Sequence, residues 1–210
     1  MQNSFTNIAV MESILNLNES EVAKFIVEHF GYDLFKVLGI NTRVKIFYEA
    51  EGIIENGDLD ILIVDPINPH ETILLECKKI KVKIDEDQSE KVNKVEDLYE
   101  LVGQVNDRIK RGFHKVYLTV LIVCDARNKI ANNILFNHAS TKTLESIYTH
   151  PYLDKLDSKA GILFLEPSQL TAKDYNRQSG CGIKEMRKPT TQQQPQNLTE
   201  IIISYMNKHC

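Results

Sequence analysis

The chain has 210 residues, 42% of them hydrophobic and 26% charged, and a formal net charge of -4. This is enough apolar material for one good-sized domain, with or without a tail, and the acidic balance argues against tight nonspecific binding to polyanions. No run of about 18 apolar residues occurs, so no transmembrane helix is expected. Met1-Gln2-Asn3-Ser4 lacks the basic region and apolar core of a signal peptide, and a cytoplasmic location is expected. Cys77, Cys124, Cys181 and Cys210 show neither disulfide nor metal-ligand spacing, so zinc is not expected. Cys77 and Cys124 lie inside apolar runs and read as small core residues.

Residues from about Glu12 to Leu38 read as a helix, with Ile14, Val22, Phe25, Ile26 and Phe30 approximating a stripe. Asn18 is a candidate N-cap with Glu21 three residues later, and Gly31 and Gly39 are stops or bends. Arg43 to Ala50 alternates as a strand, Glu55 to Asp58 supplies a turn, and Asp60 to Val64 is a second strand. Thr72 to Lys83 is a third. Their connections are too short for crossover helices, which predicts an antiparallel meander.

An acidic loop, Asp85 to Glu90, precedes a helix over Val92 to Arg111. The apolar run Val116 to Val123 reads as a buried central strand. A helix over about Asn128 to Ile147 and a short buried strand over Gly161 to Leu165 follow. The order α-β-β-β-α-β-α-β predicts an α/β fold, a mixed central sheet flanked by helices. Three segments are expected: a domain over 1–178, a polar linker over 179–197 and a short C-terminal helix over 198–210. That helix could dock on a partner.

The informative stretch is Gly57-Asp58-Leu59-Asp60-Ile61-Leu62 followed by Leu75-Glu76-Cys77-Lys78. Asp60 opens one apolar run. Glu76 and Lys78 close another and share a strand face. Unpaired charges within a core strand are costly, so their presence needs a compensating reason. Two carboxylates and the Cys77 carbonyl form an oxygen donor set for a hard divalent cation, and Lys78 can neutralise charge that develops on a phosphate. E-x-K alone occurs often by chance. Its pairing with G-D-x-D one strand earlier is the stronger signal.

These residues resemble the PD-(D/E)xK nuclease superfamily, and the element order over roughly residues 10 to 125 is similar to its restriction-endonuclease-like α-β-β-β-α-β core. Leu59 stands where the motif name has proline. The resemblance implies a magnesium-dependent nuclease, with manganese as substitute, acting on nucleic acid, most readily as a DNA endonuclease. It makes Asp60 and Glu76 metal ligands, with the Cys77 carbonyl beside them and Asp58 as rival ligand, and Lys78 the catalytic lysine. It also implies a glutamate from the first helix, for which Glu21 ranks ahead of Glu28 and Glu19. Gln104 matches a glutamine that members often carry in the helix after E-x-K.

Arg108, Lys79, Lys81 and Arg127 are candidate nucleic-acid contacts. Glu49 and Glu51 could approach the site, though a solvated hairpin edge explains them. A restriction-type enzyme cutting both strands usually needs a homodimer. The competing expectation keeps the fold without the chemistry, as a module that binds nucleic acid or a protein partner.

Overall fold

The computed structural model describes residues 14–125, 138–168 and 180–209. The expected helix start at Glu12, the first part of the expected 128–147 helix and Arg127 lie outside these residues. The fold is α/β, a seven-stranded mixed sheet with helices on both faces.

Helix α1 (Glu19–Leu38) opens on a capping box. Asn18 Oδ1 accepts from the Glu21 N–H at 2.8 Å, and Glu21 Oε2 accepts from the Asn18 N–H at 2.7 Å. The helix passes through Gly31 with a kink at Phe30 and stops at Gly39, whose φ of 72° suits a residue without Cβ. Strands β1 (Lys45–Tyr48), β2 (Ile61–Val64) and β3 (Ile73–Ile84) form the antiparallel meander.

Past β3 the chain departs from expectation. Glu90–Asn93 is a strand, β4, which folds back on the far end of β3 with Val92 opposite Val82. Helix α2 (Leu98–Arg111) therefore begins six residues later than the sequence pattern suggests. It returns the chain so that β5 (Lys115–Asp125) runs parallel to β3 over its whole length. Helix α3 (Thr141–Tyr148), capped by Ser140, leads to β6 (Gly161–Ser168), parallel to β5.

The segment expected as a linker is part of the domain. Gly180–Arg187 is β7, antiparallel to β6 at the sheet edge. Gln194 is buried between Thr72 and Thr199 and donates to both the Pro69 carbonyl and Thr199. Helix α4 (Gln196–Lys208) then packs Leu198, Ile202 and Met206 into the same core as α2. Its apolar face is used internally and is not free for a partner. The strand order is β1-β2-β3-β5-β6-β7, with β4 on β3. Among the described residues no helix is long and apolar enough to cross a membrane.

Because Ile202 is fully buried and its neighbour Ile201 is 41% exposed, they separate a docked helix from a loose one. Ile202→Ala should lower stability by about 2–5 kcal/mol. Ile201→Ala should stay within about 0.5 kcal/mol. Urea denaturation of the two variants checks this.

Candidate active site

Strand β3 has two edges. Strand β5 occupies one from Ile73 to Lys83. On the other, β2 pairs only from Ile73 to Leu75, and β4 joins at Lys81. Between them the edge has no strand partner, and its backbone donors must be satisfied in another way. Side chains do this. The Cys77 N–H donates to Asp60 Oδ2 at 2.6 Å, and the Lys79 N–H donates to Glu19 Oε2. In an extended strand the N–H and C=O of one residue share an edge, so the Cys77 carbonyl also faces this gap.

The β2–β3 register, Ile61 opposite Leu75, places Asp60 opposite Glu76 when extended by one residue. Asp60, Glu76 and the Cys77 carbonyl thus meet at this gap, and Lys78 lies two residues along β3 on the same face as Glu76. Asp58 is half-buried beside them, and its carboxylate is close enough to raise the Asp60 pKa.

From α1 it is Glu19, not Glu21, whose carboxylate reaches β3. The Glu21 carboxylate is committed to the Asn18 cap, whereas Glu19 Oε1 lies 3.5 Å from Lys78 Nζ. Arg108, expected to meet a phosphate, is instead buried at 6% exposure, and its Nε donates to Glu76 Oε1 at 2.6 Å. Nη2 donates to the Asp58 carbonyl at 3.2 Å and Nη1 to Asp107 at 3.0 Å. Lys79 turns its ammonium back to the Leu15 and Leu17 carbonyls, and Lys81 lies 3.6 Å from Asp125, so neither is an unengaged cation. Gln104 is exposed on α2, one turn before Arg108. Glu49 and Glu51 are exposed; the Glu49 N–H, at a φ of 48°, donates to the Asp60 carbonyl.

Sequence reasoning missed the role of Arg108, yet the signal was present. Leu101, Val105 and Arg108 fall at i, i+4 and i+7, which puts an arginine in the buried stripe of α2.

Burial, opposed by the Cys77 N–H and aided by the Glu19 and Asp58 charges, raises the Asp60 pKa to about 6. Burial and the Asp60 charge raise Glu76 to about 7 although Arg108 opposes them. Burial pushes the Cys77 thiol well up, so Cys77 offers its carbonyl and not a thiolate.

Among the described residues no group of three or more His, Cys, Asp and Glu side chains is arranged to hold a metal ion. The donor set here is two carboxylates and a backbone carbonyl. All are hard oxygens and suit magnesium or manganese, which retain water in their remaining positions.

No family model and no curated protein matches the chain. Among solved structures it is similar to a protein of unknown function from Silicibacter pomeroyi. The match has 11% identity and a TM-score of 0.41, over 83% of this chain and 77% of that one.

Both raised carboxyls keep their protons to higher pH in the folded than in the unfolded chain. Their contribution to stability is full below about pH 4 and is lost as pH rises through about 6 to 7. In metal-free buffer the melting temperature should therefore fall between pH 5 and pH 8, and Asp60→Asn with Glu76→Gln should flatten that slope. Thermal melts across the range check it.

Proposed function

We propose that this protein is a metal-dependent nuclease of the PD-(D/E)xK type, with a restriction-endonuclease-like core, that hydrolyses phosphodiester bonds in the cytoplasm. DNA is its substrate and endonucleolytic cleavage its action. The observation that carries the reading is the convergence of Asp60, Glu76, Glu19 and Lys78 on the unpaired stretch of β3. Four ionisable groups in one gap of a central sheet serve stability poorly, since paired charges in a core rarely outperform apolar packing. The raised carboxyl pKa values are the kind of perturbation that functional sites show.

In this reading Asp60, Glu76 and the Cys77 carbonyl hold a magnesium ion, for which manganese substitutes. The ion supplies Lewis-acid polarisation of the phosphate and lowers the pKa of water. Hydrolysis forms a bond from a water oxygen to phosphorus, breaks the bond to the leaving sugar oxygen, and delivers a proton to that oxygen. Lys78, held beside Glu19, brings its ammonium to the phosphate as negative charge builds. Glu19 fixes both the Lys79 backbone and the Lys78 ammonium, which sets the direction in which Lys78 points. Cutting both strands of a duplex calls for two such centres, hence a homodimer.

A second reading, a nuclease-fold module without catalysis, draws on the ion pairs Glu76–Arg108 and Lys78–Glu19, which satisfy these charges without a ligand.

Purified protein should nick plasmid DNA with magnesium or manganese and stop with a chelator. Asp60→Asn and Lys78→Ala should each slow cleavage by about 100-fold or more. Glu19→Gln should slow it too, while Glu21→Gln should not. Cleavage that persists unchanged in Asp60→Asn and Lys78→Ala overturns the assignment, and no cleavage of any nucleic acid favours the binding module.

A further inference from the structure

The unpaired stretch of β3 has two ends, and a residue with a strained backbone stands at each. Among the described residues the non-glycine residues with positive φ are Glu49, Gln88 and Lys94. Gln88 lies in the turn that joins β3 to β4. Glu49 donates its N–H to the Asp60 carbonyl at 3.0 Å and so borders the gap beside Asp60. Lys94, with a φ of 66°, borders the other end: β4 stops at Asn93, opposite Lys81, and Lys94 is the first residue past the pairing. From Glu76, the level of Asp60, to Ile80, the level of Lys94, is about 13 Å of extended strand.

The left-handed turn at Lys94 carries the chain off the edge of β3. A single 3-10 turn follows, Val95–Asp97, in which the Asp97 N–H donates to the Lys94 carbonyl at 3.1 Å. This departure is what leaves the edge open. Glycine would make the same turn without the clash that a Cβ brings at positive φ. Lysine adds nothing to the backbone there, and its side chain does not cap the turn. Strain of this kind gathers at functional sites. What the lysine adds is an ammonium at the rim of the gap.

The charges are sorted along the gap. Asp58, Asp60 and Glu76 gather at one end, and Glu19 lies midway, on the Lys79 N–H. Lys94 and Lys81 form the other end, where Lys94 is exposed. Burial, then the Lys81 and Lys94 charges, lower the Lys79 pKa against the pull of Glu19 and Glu21, which places Lys94 within electrostatic reach of the gap. A polyanionic strand entering the acidic end is repelled at every phosphate that a cation does not cover. Its neighbouring phosphates need positive charge further along.

We propose that Lys94 is a substrate-binding residue whose ammonium takes a backbone phosphate flanking the one to be cut, so that the nucleic-acid strand runs along β3 from Asp60 toward β4. This rests on the nuclease reading and adds the path of its substrate. An ammonium binds phosphate as a point charge, without regard to base sequence.

Lys94→Gly removes the ammonium and suits the turn, so folding and binding are read apart. Anisotropy of a fluorescein-labelled DNA duplex, measured over a salt series in the full chain carrying Asp60→Asn to prevent cleavage, gives the affinity. Adding Lys94→Gly should weaken binding about fivefold near 0.15 M salt and flatten the slope of log affinity against log salt by about 0.9, the value for one phosphate contact. The melting temperature should hold or rise. Lys94→Arg should keep the affinity. Unchanged affinity and slope in Lys94→Gly overturn the proposal and leave the nuclease reading standing, since plasmid nicking by the unaltered protein reads that separately. A loss of affinity that comes with a lower melting temperature and that Lys94→Arg shares marks a structural role and overturns it too. If the unaltered protein neither binds nor cuts DNA, the nuclease reading fails and this inference with it.

Discussion

Glu76 lies in the central strand of the sheet with 2% of its surface exposed. At that depth an ionised carboxylate without a partner costs several kcal/mol. The surrounding structure is arranged around this constraint. Arg108 must reach it, so α2 must cross β3 at a level where residue 108 meets residue 76. The short β2 must bring Asp60 and the Asp58 carbonyl to the same level. Removing the arginine would leave the charge stranded, and protonation would follow. Glu76 is therefore poised between two ways of being neutralised: a proton and the guanidinium.

The gap in β3 pairing has a second structural cause. Strand β3 is twelve residues long, while β2 and β4 are four each and share its outer edge. The pairing that β2 and β4 provide leaves the middle of that edge bare. Exposed sheet edges are normally closed by pairing or covered. Here two carboxylates act as the cover, from elements that otherwise have nothing in common: Asp60 from the turn before β2, Glu19 from the first residue of α1. The short strands do not need to be longer, because the carboxylates already satisfy the backbone they leave open.

The meander, the buried β5 and the pairing of Asp60 with Glu76 were legible from sequence, since turn residues, apolar runs and short spacings fix them locally. Strand β4 was not, because Glu90-Lys91-Val92-Asn93 carries a single apolar residue; it forms because the overlong β3 offers it an edge. Strand β7 was hidden by its glycines and charges, which suit an edge strand that is half-buried on alternate residues. Glu21 shows a different kind of miss. The Asn18–Glu21 spacing that marks the helix start also commits the Glu21 side chain, so it could not serve the site as well. Glu19 bears no local signal of its own, and only the meeting of α1 with β3 in three dimensions selects it.

The charges around the gap also fit together as a sum. Asp58, Asp60, Glu76, Glu19 and Asp107 carry five negative charges when fully ionised, against four positive on Arg108, Arg111, Lys78 and Lys79, which leaves one in excess. Burial and mutual repulsion raise the pKa values of both Asp60 and Glu76, so the pair readily keeps one proton, which cancels that excess. Exchanging the proton for a divalent cation turns the balance to one positive charge, and a phosphodiester brings one negative. In the nuclease reading the centre is thus neutral in two states, protonated and empty or loaded with both cation and phosphate, and charged in between. A low-dielectric site penalises the charged state most. On that reading cation and phosphate should bind cooperatively, each tighter in the presence of the other.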